Sequence, residues 1–141
     1  MDTHTREFKA HVRGFCELLI HLRSALGNDL DMVLILAVIA ERQYSARQQT
    51  GEPGQSGDDP ARQTYPTGIN ALSVAEYTGI PRETARRKIA LLISNGWVLR
   101  DPCGILSPTP KAAVDLAHST AATLRYLSVI AQLDLQGGQP G

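Results

Sequence analysis

Residues 72–109 constrain this chain more than any other stretch, because punctuation and hydrophobic period there set four elements and their order. Ser73 can cap a short helix, and Gly79 supplies the free φ for a sharp turn out of it. Pro81 suits the first turn of a second helix, where its missing N–H would have had no partner in any case. That helix is predicted over about 81–95 and stops at Gly96, after which Trp97, Val98, Leu99 and Arg100 have strand character. Asp101, Pro102, Cys103 and Gly104 make a turn, and Ile105 and Leu106 begin a return strand. The order predicts a mostly α fold with a small β wing, a winged helix-turn-helix.

The faces of the second helix carry the functional argument, since a helix that reads DNA must be anchored on one side and polar on the other. At about 100° per residue Ala85, Ile89, Leu92 and Gly96 share one face. Glu83, Arg87 and Ser94 share the opposite one and Arg86 flanks it; Arg82 lies nearer the anchored side but sits in the first turn, where a long side chain reaches past the helix end. Lys88 lies toward the anchored side and is expected to run its stem along it. Between 82 and 100 there are five bases against one acid, which leaves nine bases and thirteen acids for the rest of a chain of zero net charge. Positive charge concentrated on one helix is how a short phosphate-binding footprint looks in sequence. The plain alternative is that this charge run is a solvated helix face.

Residues 72–80 as support helix and turn, with Arg82, Glu83, Thr84, Ala85, Arg86 and Arg87 opening the next helix, resemble the winged-helix domain of bacterial transcription regulators of the MarR type. Ile89, Leu92, Gly96, Trp97 and Val98 match the closing pattern of apolar anchors, glycine and strand. The motif covers about forty residues; the wing turn is short and carries no base except Arg100 at its root. The resemblance implies a sequence-specific transcriptional regulator that binds double-stranded DNA as a homodimer, its terminal helices interlocked. Arg82, Arg86 and Arg87 would meet guanine edges or phosphates, and Thr84 and Ser94 would make lesser polar contacts. Glu83 would accept from cytosine or orient a neighbouring arginine, and Arg100 and Lys111 would meet flanking phosphates. A small-molecule effector pocket between the terminal helices and the winged domain is implied by the family, with no residue to mark it. Two other readings use the same residues: a winged-helix module that docks an acidic protein, and an accessory DNA-binding protein of replication or plasmid and phage maintenance.

Composition bounds the rest. The 141 residues, 43% apolar and 20% charged, suit a globular domain with a real core. Residues 1–13 lack a signal-peptide layout, and the longest apolar run, 32–40, is about half a membrane span, so a cytoplasmic location is expected. Cys16 and Cys103 imply neither a disulfide framework nor a zinc site; they read as free thiols, and Asp101 beside Cys103 opposes a reactive thiolate. The four histidines show no metal-binding spacing, and there is no nucleophile motif, phosphate loop or paired-acid signature. Neither an enzyme nor a cofactor is expected.

The flanks are expected to make the dimer. Residues 1–27 hold an amphipathic helix over about 5–26, with Phe8, Val12, Phe15, Leu19 and Leu22 on one face and Arg6, Arg13 and Glu17 on the other. The winged domain, 28–109, begins with a helix over about 30–46 whose apolar run predicts burial on every side. It contains a flexible insertion over about 48–67, rich in Gly, Pro, Gln and Asp, followed by a short strand at 69–72. A last helix over about 111–133, within a segment 110–135, carries a stripe of Ala113, Leu116, Ala117, Thr120, Leu124, Leu127, Ile130 and Ala131, widened by Val114 and Val129. Residues 136–141 read as a disordered tail.

Overall fold

The computed structural model describes residues 3–50 and 68–137, which are mostly helical with a small two-stranded antiparallel sheet. In chain order the elements are α1 (Thr3–Ala25), α2 (Leu30–Thr50), α3 (Ala71–Thr78), α4 (Arg82–Ser94), β1 (Val98–Arg100), β2 (Leu106–Pro108), α5 (Pro110–Asp115) and α6 (Ala117–Gly137). They divide into two compact units. The first is 1–30 with 114–141 and the second is 31–113.

The second unit grows from local signals. Asn70, in extended backbone, caps α3: its Oδ1 accepts the Ser73 N–H at 2.8 Å. The cap expected at Ser73 therefore lies three residues earlier, and the strand expected over 69–72 shrinks to one bridge between Ile69 and Leu106. The reason is that Asn70 ends extended backbone immediately, so Leu72 is already helical. At the other end Gly79 takes φ 78°, ψ 4° and donates to the Ala75 carbonyl, a left-handed position that favours glycine. The Thr78 hydroxyl donates to Val74 O and accepts from Ile80 N, tying down the turn. Pro81 stands one position before α4, not inside it, and its carbonyl accepts the Ala85 N–H at 2.9 Å.

α4 ends in a Schellman motif, with Gly96 N–H to Ile93 O and Trp97 N–H to Leu92 O. Trp97 leads into the hairpin, where Val98 pairs with Pro108, Leu99 with Ser107 and Arg100 with Leu106. Thr109 then closes the circuit: its N–H donates to Trp97 O, its hydroxyl to Gly96 O, and its Oγ1 accepts the Ala112 N–H as the cap of α5. Pro110 follows at the first helical position.

The core of this unit draws Ile35 and Ile39 from α2, Val74 from α3, Ala85, Ile89 and Leu92 from α4, and Val98 and Leu106 from the hairpin, all at 5% exposure or less. α2 is not buried all round as expected. Met32, Ile35, Val38 and Ile39 face inward, while Leu34, Ala37 and Tyr44 are exposed, because one small core occupies one side of a helix. α2 also runs on through Thr50, so residues 48–50 of the expected insertion are helical. Residues 51–67 of that insertion lie outside the described residues.

In the first unit α1 packs along α6. Leu18 and Ser119 are the buried residues of that seam, and His21 Nε2 lies 3.3 Å from Ser119 Oγ. The Tyr126 ring lies over Gly14, meets Phe15 and His11, and its hydroxyl shares a hydrogen bond with His11. Part of the expected apolar face of α1 thus lies away from α6. Phe8, Val12 and Phe15 are exposed, while Arg13 and Glu17 line the groove beside α6. On α6 the contact side carries Ser119, Ala122 and Tyr126, and the expected stripe leaves Leu124 and Leu127 in solvent. Small residues at the seam let two helix backbones approach.

The last helix also differs from expectation. It is broken at Leu116, whose carbonyl takes both the N–H and the hydroxyl of Thr120. It then continues to Gly137, so residues 136 and 137 of the expected tail are helical, and residues 138–141 lie outside the described residues.

Candidate nucleic-acid interface

The solvent face of α4 is defined by its anchored one. Ala85, Ile89 and Leu92 have no measurable exposure. On a 3.6-residue period this turns Glu83, Arg87 and Ser94 outward with Arg86 at their flank, while Arg82 lies nearer the anchored side at the helix start, and all five are exposed. Thr84 is half-buried at the edge of the face. Leu91, which belongs to neither side by phase, is exposed as well.

Two of the five bases between 82 and 100 are engaged. Arg86 grips Glu83 with two parallel bonds, Nε to Oε2 at 3.0 Å and Nη2 to Oε1 at 2.5 Å. The bonds and charge of Arg86 hold the Glu83 carboxyl below its ordinary range, and Glu83 in turn pushes the Arg86 guanidinium up. Lys88, its side chain 13% exposed, reaches Asp31 Oδ2 at 3.5 Å on the first turn of α2. Its stem lies along the anchored side and its charge serves the fold. Arg82, Arg87 and Arg100 form no ion pair among the described residues. The footprint read from sequence is thereby divided into unpaired cations and one arginine held by an acid.

The two outlying candidates come from the hairpin and α5. Strand alternation puts Arg100 on the side of buried Val98, exposed at the strand end, and Leu99 on the other side at 60% exposure. Lys111 crosses the end of α4, its Cδ about where a Cβ on Gly96 would make a 3.0 Å contact. The structure thus places Lys111 beside the α4 C-terminus. The hairpin tip is closed by Asp101, whose Oδ1 accepts the N–H groups of Cys103 at 2.8 Å and Ile105 at 2.9 Å. An acid that knots the turn leaves the tip without a base. Cys103 and Cys16 are both exposed and unbridged.

Three participants escaped the sequence reading. Asp31 is the partner of Lys88, Thr109 fastens the hairpin to α4, and Leu99 adds exposed apolar surface beside Arg100. Only Thr109 left a local signal, as a threonine directly before Pro110. Among the described residues no group of His, Cys, Asp and Glu could hold a metal ion. No described helix is long and apolar enough to cross a membrane. The first unit has a groove of about 570 Å³ between α1 and α6, lined by Arg13, Gly14, Glu17, His21, Arg125 and Tyr126 among others. No family model, curated protein or solved structure matches the chain.

Proposed function

We propose that the second unit is a winged helix-turn-helix and that the chain is a sequence-specific, DNA-binding transcriptional regulator of the MarR-like kind, with α4 entering the major groove. The observation that carries this reading is the division of α4. One side is fully buried, and the other presents Glu83, Arg86, Arg87 and Ser94 to solvent, with Arg82 exposed at the helix start. A three-residue turn from the supporting α3 and a short hairpin after it supply the setting in which such a helix reads base edges. Arg82, Arg86 and Arg87 are assigned to phosphates or guanine edges, Thr84 and Ser94 to lesser polar contacts, and Arg100 and Lys111 to flanking phosphates.

The regulator acts as a homodimer. On the first unit Phe8, Val12 and Phe15 of α1 and Leu124 and Leu127 of α6 are exposed, more apolar surface than a monomer ordinarily leaves in water. Two protomers that each neutralise about three phosphates would give a slope of log affinity against log salt of roughly −5. Selection from random duplexes followed by binding across salt tests this. The double variant Arg82→Ala/Arg87→Ala is expected to lose at least about tenfold in affinity for every duplex, since two positive charges leave the face that meets DNA.

A second reading, a protein-docking module, draws on the exposed Leu99 and on the hairpin tip that Asp101 closes without a base. If the folded double variant binds DNA like the parent, docking replaces DNA reading.

A further inference from the structure

The bond between Glu83 and Arg86 has a geometry that bears on what α4 would recognise. A guanidinium has two edges able to hold a planar acceptor pair: the side edge, made by Nε–H and one Nη–H, and the end edge, made by one N–H from each Nη. Glu83 occupies the side edge, with Nε to Oε2 and Nη2 to Oε1. The end edge remains open. Both side chains are on the solvent face, 65% and 77% exposed, so a ligand can approach that edge. The pair has little net charge and contributes correspondingly little to phosphate attraction, which falls to Arg82, Arg87 and Arg100. It also restricts an arginine that would otherwise sample many rotamers.

We propose that Glu83 is a positioning residue that holds Arg86 end-on for the O6 and N7 acceptors of a guanine in the major groove. The inference rests on the DNA-binding reading above and deepens it: it names the base, and it divides the basic face into one reading arginine and several phosphate contacts. A bidentate arginine fork on guanine is the geometry that distinguishes this base from the other three. Phosphate contacts on the same helix would carry affinity without choosing sequence.

The test uses the full-length protein and the duplex obtained by selection, with 7-deazaguanine placed singly at each guanine to remove the N7 acceptor. In the parent, one position should cost about fivefold or more, the low end of a bidentate contact. Arg86→Lys, which keeps the charge and loses the fork, should abolish that sensitivity and keep binding to random duplexes. Glu83→Gln should weaken the sensitivity, raise affinity for random duplexes, and steepen the salt slope by about one for each protomer, because an acid has left the phosphate face. In the free protein the Arg86 Nε–H resonance should exchange with water faster in Glu83→Gln than in the parent.

Unchanged deazaguanine sensitivity in Glu83→Gln, or an unchanged Arg86 resonance, overturns the positioning role while leaving DNA binding in place. If Arg82→Ala/Arg87→Ala leaves DNA binding intact, the DNA reading fails and the positioning role fails with it. Full deazaguanine sensitivity in Arg86→Lys would place the guanine contact on another residue and overturn the guanine assignment alone.

Discussion

Replacing Asn70 by alanine removes the only side-chain cap of an eight-residue helix. α3 has two turns, so the four N–H groups at its start are a large share of its backbone, and the Asn70 carboxamide satisfies the one at Ser73 across 2.8 Å. Loss of such a cap costs about 1 kcal/mol, within a range of roughly 0.5 to 2. For a unit the size of 31–113 that is a fall in melting temperature of about 4 to 8 °C for each kcal/mol. Trp97 is the only tryptophan and belongs to this unit, so its fluorescence reports the transition directly. Ser73→Ala should stay within about 0.5 kcal/mol of the parent, since the Ser73 backbone and not its side chain makes the cap bond. Asn70→Asp keeps an acceptor and adds a negative charge at a helix N-terminus, so near neutral pH it should match or exceed the parent. A larger loss from Ser73→Ala than from Asn70→Ala would refute the capping argument and restore the sequence-based register.

Gly79→Ala meets no neighbour within 4 Å, so its cost should be conformational alone, about 1 to 2 kcal/mol by chemical denaturation for a residue held at φ 78°. Leu127→Glu puts a charge on exposed apolar surface of α6 and should give a folded monomer in sedimentation; a dimer of parental stability would place the interface elsewhere. Because Arg86 holds the Glu83 carboxyl down, their bond should be present above the ordinary value of 4.5 and be lost only as pH falls through a lower one. Acid titration of the Arg86 Nε–H resonance should therefore inflect below 4.5, and an inflection at or above it would contradict the pairing.

What could be read from sequence follows how local the deciding interactions are. The buried side of α4 was legible because Ala85, Ile89 and Leu92 keep a helical period between two strong stops, Pro81 and Gly96. Asn70 and Ser73 are both good caps three residues apart, and the choice was made by the bridge from Ile69 to Leu106, a contact remote in sequence. The seam between α1 and α6 was not legible for a related reason. An apolar stripe such as Phe8, Val12 and Phe15 shows that something covers a helix without showing what, and the small Gly14 and Ala122 that admit the neighbouring helix look neutral in sequence. Within the candidate site the spacing of Glu83 and Arg86 advertised a pair, but two-edged guanidinium geometry is a property of rotamers.

The chain leaves the first unit after residue 30 and returns to it at 114, so the second unit is spliced between two helices that pair with each other. The seam of α1 and α6, with His21 meeting Ser119 across 98 residues of sequence, works as a non-covalent clasp on a long loop. While the clasp stays shut, an unfolded second unit is a ring and not a free chain, and it has less entropy to gain by melting. A covalent link across a loop of this size stabilises by roughly 4 to 5 kcal/mol in the chain-entropy account, which sets the ceiling for the clasp. Substitutions at Gly14 or Ser119 would then weaken the unit that carries α4 without touching any of its residues, and a ligand that tightened the seam would strengthen it.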